Sequence, residues 1–205
     1  MRTVPIKNNM QDNKSVLKRL TSKGVFPYQW AFTLLCPLRS IFLSPKRLIQ
    51  RLEIKDDSHI LEVGPGPGYY SIPIARKTAG GTLTLADIQP EMLDYAKKRL
   101  TKAGLFNVNY LLCNGSRFDL PDACFDIIFL VTVIGEVENK EDYLREFRRL
   151  LKPDGILSFS EQFGDPDRMT TQQVRSLAEQ AGFIFNHLYG YEWNYTINFR
   201  NPSAL

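Results

Sequence analysis

The stretch LEVGPGPGYYS, residues 61–71, places Glu62 two positions ahead of Gly64 and follows it with Gly66 and Gly68. Glycine has no Cβ, so a turn built from it brings backbone unusually close to a ligand and reaches angles that other residues avoid. Something is cradled here. Glu62 ends a short apolar run, and an acid in such a place favours a ligand with a positive group over a pyrophosphate. The dinucleotide fingerprint G-x-G-x-x-G needs glycine at position 69, where Tyr69 stands, and no Lys-Ser or Lys-Thr follows as in a phosphate-binding P-loop.

The elements that must position this turn alternate regularly. SPKRLIQRL (44–52) reads as a short helix with Ser44 as N-cap and Pro45 at its first position. Strands are predicted over 59–64, 81–88, 107–113, 125–134 and 155–163, the last after a Pro153-Asp154-Gly155 turn, and helices over 69–79, 90–104, 139–152 and 170–182. Two further strands, 183–190 and 191–200, follow each other directly and read as a hairpin. Alternation of this kind implies right-handed βαβ units, a parallel sheet and helices on both faces. The glycine turn then lies at the carboxyl edge of the sheet, where doubly wound folds bind nucleotides. Glu136 and Glu161, at the ends of the fourth and fifth strands, open onto the same edge and are candidate general bases, with solvated carboxylates as the alternative.

The chain has 205 residues, 43% of them hydrophobic, which suits one compact domain with a small appendage. Cys36, Cys113 and Cys124 show no pairing or histidine spacing that indicates a disulfide framework or a metal site. The N-terminus lacks a signal-peptide core, and no uncharged apolar run is long enough to span a bilayer, so a cytoplasmic protein is expected. The net charge of +4 is uneven: residues 1–55 hold 11 Lys and Arg against Asp12 and Glu53. Phe26, Tyr28, Trp30 and Phe32 stand among those basic groups. Such a mixture suits nucleic acid, an anionic membrane surface or an acidic substrate, or else a cap packed on the main domain.

E-V-G-P-G-P-G resembles motif I of the class I S-adenosylmethionine-dependent methyltransferases. LADIQPEML, LPDACFDIIFL, LREFRRLLKPDGIL and the C-terminal hairpin are similar, in order, to further segments of that family, so the resemblance covers about residues 44–200. It implies a Rossmann-like three-layer α/β sandwich with a mostly parallel seven-stranded sheet, an antiparallel C-terminal hairpin and an N-terminal helical cap. By this resemblance Gly64, Gly66 and Gly68, bordered by Pro65 and Tyr69, wrap the methionyl part and ribose of S-adenosylmethionine, or of its product S-adenosylhomocysteine. Glu62 answers the ammonium, Asp87 accepts from the ribose hydroxyls, and Ile88 and Met92 flank the adenine. Gly115, Ser116 and Arg117 after the third strand and Val131 in the fourth complete the implied cofactor set.

One departure concerns adenine: Ser116 falls where the family commonly has Asp, and a hydroxyl makes a weaker contact than a charge-assisted one. Asp119 is a candidate to compensate. The F-P-x-x-W-x-x-x-L-L-C-P-L-R lead-in looks like the cap of small-molecule methyltransferases of the ubiquinone/menaquinone-biosynthesis type. That implies residues 1–43 as a basic, aromatic lid over a methyltransferase domain at 44–205, with Phe26, Tyr28, Trp30 and Phe32 shaping a pocket for a small apolar or aromatic acceptor. Two alternatives stay open: an RNA or protein methyltransferase docking through the basic segment, and a noncatalytic cofactor-binding protein. His187 reads as structural, and no metal is implied. Peripheral membrane contact and the oligomeric state are left open.

Overall fold

A computed structural model describes residues 43–202. The expected cap residues Phe26, Tyr28, Trp30 and Phe32 lie outside them, as do Cys36 and all of the predicted lid before Leu43.

The described chain runs α1 (Pro45–Arg51), β1 (His59–Val63), α2 (Ser71–Lys77), β2 (Thr82–Asp87), α3 (Pro90–Lys102), β3 (Val108–Leu112), β4 (Phe125–Val131), a 3-10 turn (Ile134–Glu136), α4 (Lys140–Leu150), β5 (Leu151–Glu161), α5 (Thr171–Gln180), β6 (Ile184–Tyr191) and β7 (Asn194–Arg200). The seven strands form one sheet in the order β3-β2-β1-β4-β5-β7-β6. β1 to β5 pair in parallel, and β7 pairs antiparallel with both β5 and β6. The strand order reverses at β1, with β2 and β3 laid down on one side of it and β4 and β5 on the other, and this switch point opens a crevice at the carboxyl edge.

Both sheet faces are covered. On one, Leu48, Ile74, Leu93 and Leu100 of α1, α2 and α3 pack on Ile60, Leu83 and Phe129. On the other, Leu144 and Phe147 of α4 and Val174 and Ala178 of α5 pack on Leu61, Ile128, Leu157 and Phe199. Burial on both faces is why β1 and β4 read as near-continuous apolar runs. The helix starts are local chemistry: Ser44 Oγ accepts from the Arg47 N–H, and Thr170 with Gln173 closes a capping box on α5.

Two sequence expectations change. The predicted turn at 153–155 lies inside β5, which begins four residues earlier; the register slips between Phe125 and Ile127, and Asp154 takes φ +60°. A bulge accommodates Pro and Gly without ending the strand. β4 ends at Val131 and not at 134, because Thr132 turns to φ +55° and the chain enters the 3-10 turn.

Candidate functional site

The carboxyl ends of β1, β2 and β4 enclose a cleft of about 680 Å³. From the predicted set, Glu62, Gly64, Pro65, Gly66, Tyr69, Asp87, Ile88, Met92, Gly115, Ser116, Val131 and Glu136 line it. Gly68, Arg117 and Glu161 do not, and the exposed Asp119 is also absent from the wall. Sequence reasoning missed Gln89, Cys113, Tyr143 and Gln162, which line the same cleft. No local spacing marks these four.

The floor is the glycine turn. Gly64, Gly66 and Gly68 take φ of +67°, +53° and +78°, the left-handed region where glycine is favoured. A Cβ on Gly64 would stand 2.5 Å from Val133 Cγ2, and one on Gly68 would stand 3.3 Å from Ala96 Cβ on α3. The turn is therefore pressed between the loop after β4 and helix α3. Its glycines leave the cleft side open.

Two carboxylates flank this floor. Glu62 is 3% exposed and its Oε2 accepts from Ser71 Oγ at 2.6 Å. Burial pushes its pKa up to about 8; the Ser71 bond pulls the other way, and the nearby Asp87 charge adds to the rise. Asp87 ends β2, where Oδ1 accepts from the Gln89 N–H at 2.9 Å. Burial raises its pKa as well, while backbone N–H groups of Gln89, Gly66 and Ile88 favour the charged form. Glu62 is thus a buried acid short of countercharge, and Asp87 is presented at the strand end by local amides.

The loop that carries Gly115 and Ser116 is held from α4. Tyr143 Oη donates to the Gly115 carbonyl at 3.1 Å. Glu146 Oε1 accepts from the Phe118 N–H at 2.8 Å, while Arg149 donates to the Phe118 and Leu120 carbonyls and pairs with Glu146 at 2.6 Å. The Arg149 guanidinium holds the Glu146 carboxyl below the usual carboxylate range.

The far end of the cleft follows β4 and β5. Glu136, Val137, Glu138, Phe163, Asp165 and Asp167 line it, and no Lys, Arg or His among the described residues does. Glu161 lies behind this wall at 1% exposure, and neither of its oxygens closes a hydrogen bond of normal geometry. Burial pushes its pKa up to about 9, with Asp165 the next cause; the Arg168 guanidinium and then the Met169 backbone offset it only in part. At neutral pH Glu161 is a buried, protonated acid.

One more contact fixes how the chain enters this region. Gln162 Nε2 donates to Tyr70 Oη at 3.0 Å, and Tyr70 Oη donates to the Leu43 carbonyl at 3.0 Å. Tyr70 and Gln162 both line the cleft, so this chain of bonds ties Leu43 to its wall. The described cysteines, Cys113 and Cys124, are free thiols, no His, Cys, Asp or Glu group among the described residues could hold a metal, and His187 is exposed on β6.

Residues 61–159 match a family described as "Methyltransferase domain". The chain is 30% identical over 118 residues to the ubiquinone/menaquinone biosynthesis C-methyltransferase of Xanthomonas campestris, covering 55% of this chain and 47% of that protein. It thus spans about half the length of the curated relatives it matches. A crystal structure of a SAM-dependent methyltransferase from Aquifex aeolicus shares the fold at a TM-score of 0.81 and 23% identity, covering 86% of this chain and 99% of that one. The phosphoethanolamine N-methyltransferase 2 of Haemonchus contortus, in complex with S-adenosyl-L-methionine, shares it at 0.67 and 15% identity, over 78% of this chain and 52% of that one.

Proposed function

The chain carries a class I S-adenosylmethionine-dependent methyltransferase domain, and from that premise we propose that it methylates a small acceptor whose reacting part is apolar or aromatic. The observation that carries this reading is the convergence of Glu62, the glycine turn and Asp87 in one cleft. These residues fit the cofactor by charge and by space: a buried acid for an ammonium, two carboxylate oxygens for a diol, and a turn whose Gly64 leaves no room for a side chain. Ile88 and Met92 supply apolar walls for a purine, and Ser116 stands on the loop that Tyr143 and Arg149 hold. When bound, S-adenosylmethionine supplies a methyl group on a sulfonium centre; the acceptor's electron pair forms the new bond and the C–S pair returns to sulfur.

The chain's own residues orient and exclude water. Much of the rate of an in-line displacement comes from such positioning. Val133, Val137, Tyr143 and Phe163 give the far end an apolar lining, and Glu136 there is placed to take a proton from the acceptor. The activity for which the relatives are named, C-methylation in ubiquinone and menaquinone biosynthesis, supports an aromatic ring as acceptor. Four carboxylates at that end, Glu136, Glu138, Asp165 and Asp167, disfavour a phosphate backbone and so weigh against the RNA alternative. The test is transfer of a tritium-labelled methyl group across a panel of phenols, quinols and RNA. Label in a ring carbon is expected. Label only in RNA, or in nothing despite tight cofactor binding, overturns this reading.

Residues 1–43 are read as a lid, because the Gln162–Tyr70–Leu43 chain ties the start of the described fold to the cleft wall. Closure of such a segment excludes water from the transfer step. Amides in residues 20–43 are expected to gain hydrogen-exchange protection on adding S-adenosylhomocysteine, and more with an acceptor present. Unchanged exchange, together with full activity after removing residues 1–43, contradicts the lid. Among the described residues no helix is long and apolar enough to cross a membrane.

A further inference from the structure

The glycine turn is short of internal support. Within residues 64–68 one backbone hydrogen bond closes, from the Gly68 N–H to the Pro65 carbonyl at 3.0 Å, and the Gly64 N–H leaves the turn for the Ala86 carbonyl at 2.8 Å. Three glycines at positive φ contribute no side chain that could pack and restrain them. The restraint comes from α3. Ala96 lies beneath Gly68, and one turn further along the same helix face Arg99 Nη1 donates to the Pro67 carbonyl at 2.6 Å, across 32 residues of sequence. Arg99 is half-buried, so its stem lies on the helix while its guanidinium reaches the loop.

On the other side of the turn, the Gly66 N–H is one of the three backbone donors that favour the charged form of Asp87. Pro67 is the next residue. The Pro67 carbonyl shares a planar peptide with the Gly68 N–H, and the Pro65 carbonyl that accepts that N–H at 3.0 Å shares another with the Gly66 N–H, so a shift of the Pro67 carbonyl passes through this bond to the Gly66 amide.

We propose that Arg99 is a positioning residue for the cofactor site: by gripping the Pro67 carbonyl it fixes the glycine turn so that the Gly66 N–H meets the Asp87 carboxylate. The role of Asp87 toward the ribose rests on the function proposed above; the Arg99–Pro67–Gly66–Asp87 linkage does not. A charge-assisted bond to a backbone carbonyl is stronger than a neutral one and is lost entirely when the guanidinium is replaced by an apolar end of similar length. Arg99→Met keeps the stem and removes the donor. Arg99→Lys keeps a donor, without the planar fork.

The direct test is a carbon-13 carboxyl titration of Asp87 by NMR in the ligand-free protein, wild type against Arg99→Met. Two other titratable groups face Asp87, Glu62 from β1 and Cys113 after β3; Glu62 is followed in the same carboxyl spectra, and burial pushes the Cys113 thiol up to about 12, so it stays neutral through the titration. Weaker contact with the Gly66 N–H favours the neutral acid, so the Asp87 midpoint is expected to move to higher pH in Arg99→Met and to return toward wild type in Arg99→Lys. A loss of general stability alone lowers the melting temperature without moving that midpoint. In parallel, Arg99→Met is expected to weaken S-adenosylhomocysteine binding about 10-fold and raise the KM for S-adenosylmethionine with little change in kcat. An Asp87 midpoint identical in wild type and Arg99→Met overturns the proposal. If the midpoint moves but the wild-type protein does not bind S-adenosylhomocysteine, the linkage stands and the proposed function falls.

Discussion

Gly64→Val abolishes cofactor binding while the domain stays folded. The residue sits at φ +67°, and a Cβ there meets Val133 Cγ2 at 2.5 Å, so a branched side chain faces both backbone strain and a collision. The left-handed region costs roughly 1–2 kcal/mol for a side-chain-bearing residue, and overpacking typically another 1–3 kcal/mol. A domain with stability of about 5–15 kcal/mol tolerates that sum, but the cradle does not. Val133 lines the cleft, so relief of the clash drives it or the turn into the space the ligand needs. Affinity for S-adenosylhomocysteine is expected to fall at least about 100-fold by calorimetry, roughly 2.7 kcal/mol, with the far-UV circular dichroism retained. A folded variant that binds normally means the cradle is elsewhere.

The second large effect belongs to Glu62. Burial raises its pKa to about 8 in the ligand-free fold, so at pH 7 the group is mostly protonated. An ammonium delivered beside it favours the carboxylate, and binding at pH 7 therefore releases a proton. Affinity is expected to rise by up to about tenfold per pH unit below pH 8 and to level off above it. Calorimetry in two buffers of different ionisation enthalpy measures the proton directly. Folding stability runs the opposite way. The native state holds this proton more tightly than the unfolded chain, so the contribution is full below the ordinary carboxyl value of about 4.5 and is lost as pH rises through about 8. Glu161, raised to about 9, extends the decline to higher pH. Glu62→Gln is expected to lose about 100-fold in affinity at pH 8, to release no proton, and to flatten the pH dependence of the melting temperature between pH 5 and 8. Wild-type binding that is independent of pH over that range contradicts the role given to Glu62.

Much of this site was legible because its signals are local. The apolar runs of β1 and β4, the Pro90 start of α3 and the spacing of Gly64, Gly66 and Gly68 each depend on residues within one element, and periodicity reads them directly. What the sequence hid is set by packing across the fold. Arg99 gripping Pro67, Gln162 reaching Tyr70 and Arg149 clamping Phe118 join residues 31 to 92 positions apart and leave no spacing to find. Glu161 shows the same limit from another side. Its place at the end of β5 was readable, but strand alternation turns it toward Tyr195 beneath the 163–170 loop, away from the cleft wall. Even the Pro-Asp-Gly at 153–155, a turn by composition, sits within β5 because Phe125 pairs with Leu151 ahead of it.

The central claim is that the cleft at the carboxyl edge is built for S-adenosylmethionine and its product, not for a dinucleotide. Isothermal titration of the full chain with S-adenosylhomocysteine, and separately with NAD, puts that claim to one instrument under one set of conditions. Micromolar binding of S-adenosylhomocysteine at one site per chain, with no heat from NAD, is the predicted result. Micromolar binding of NAD with none of S-adenosylhomocysteine would contradict the account at its root.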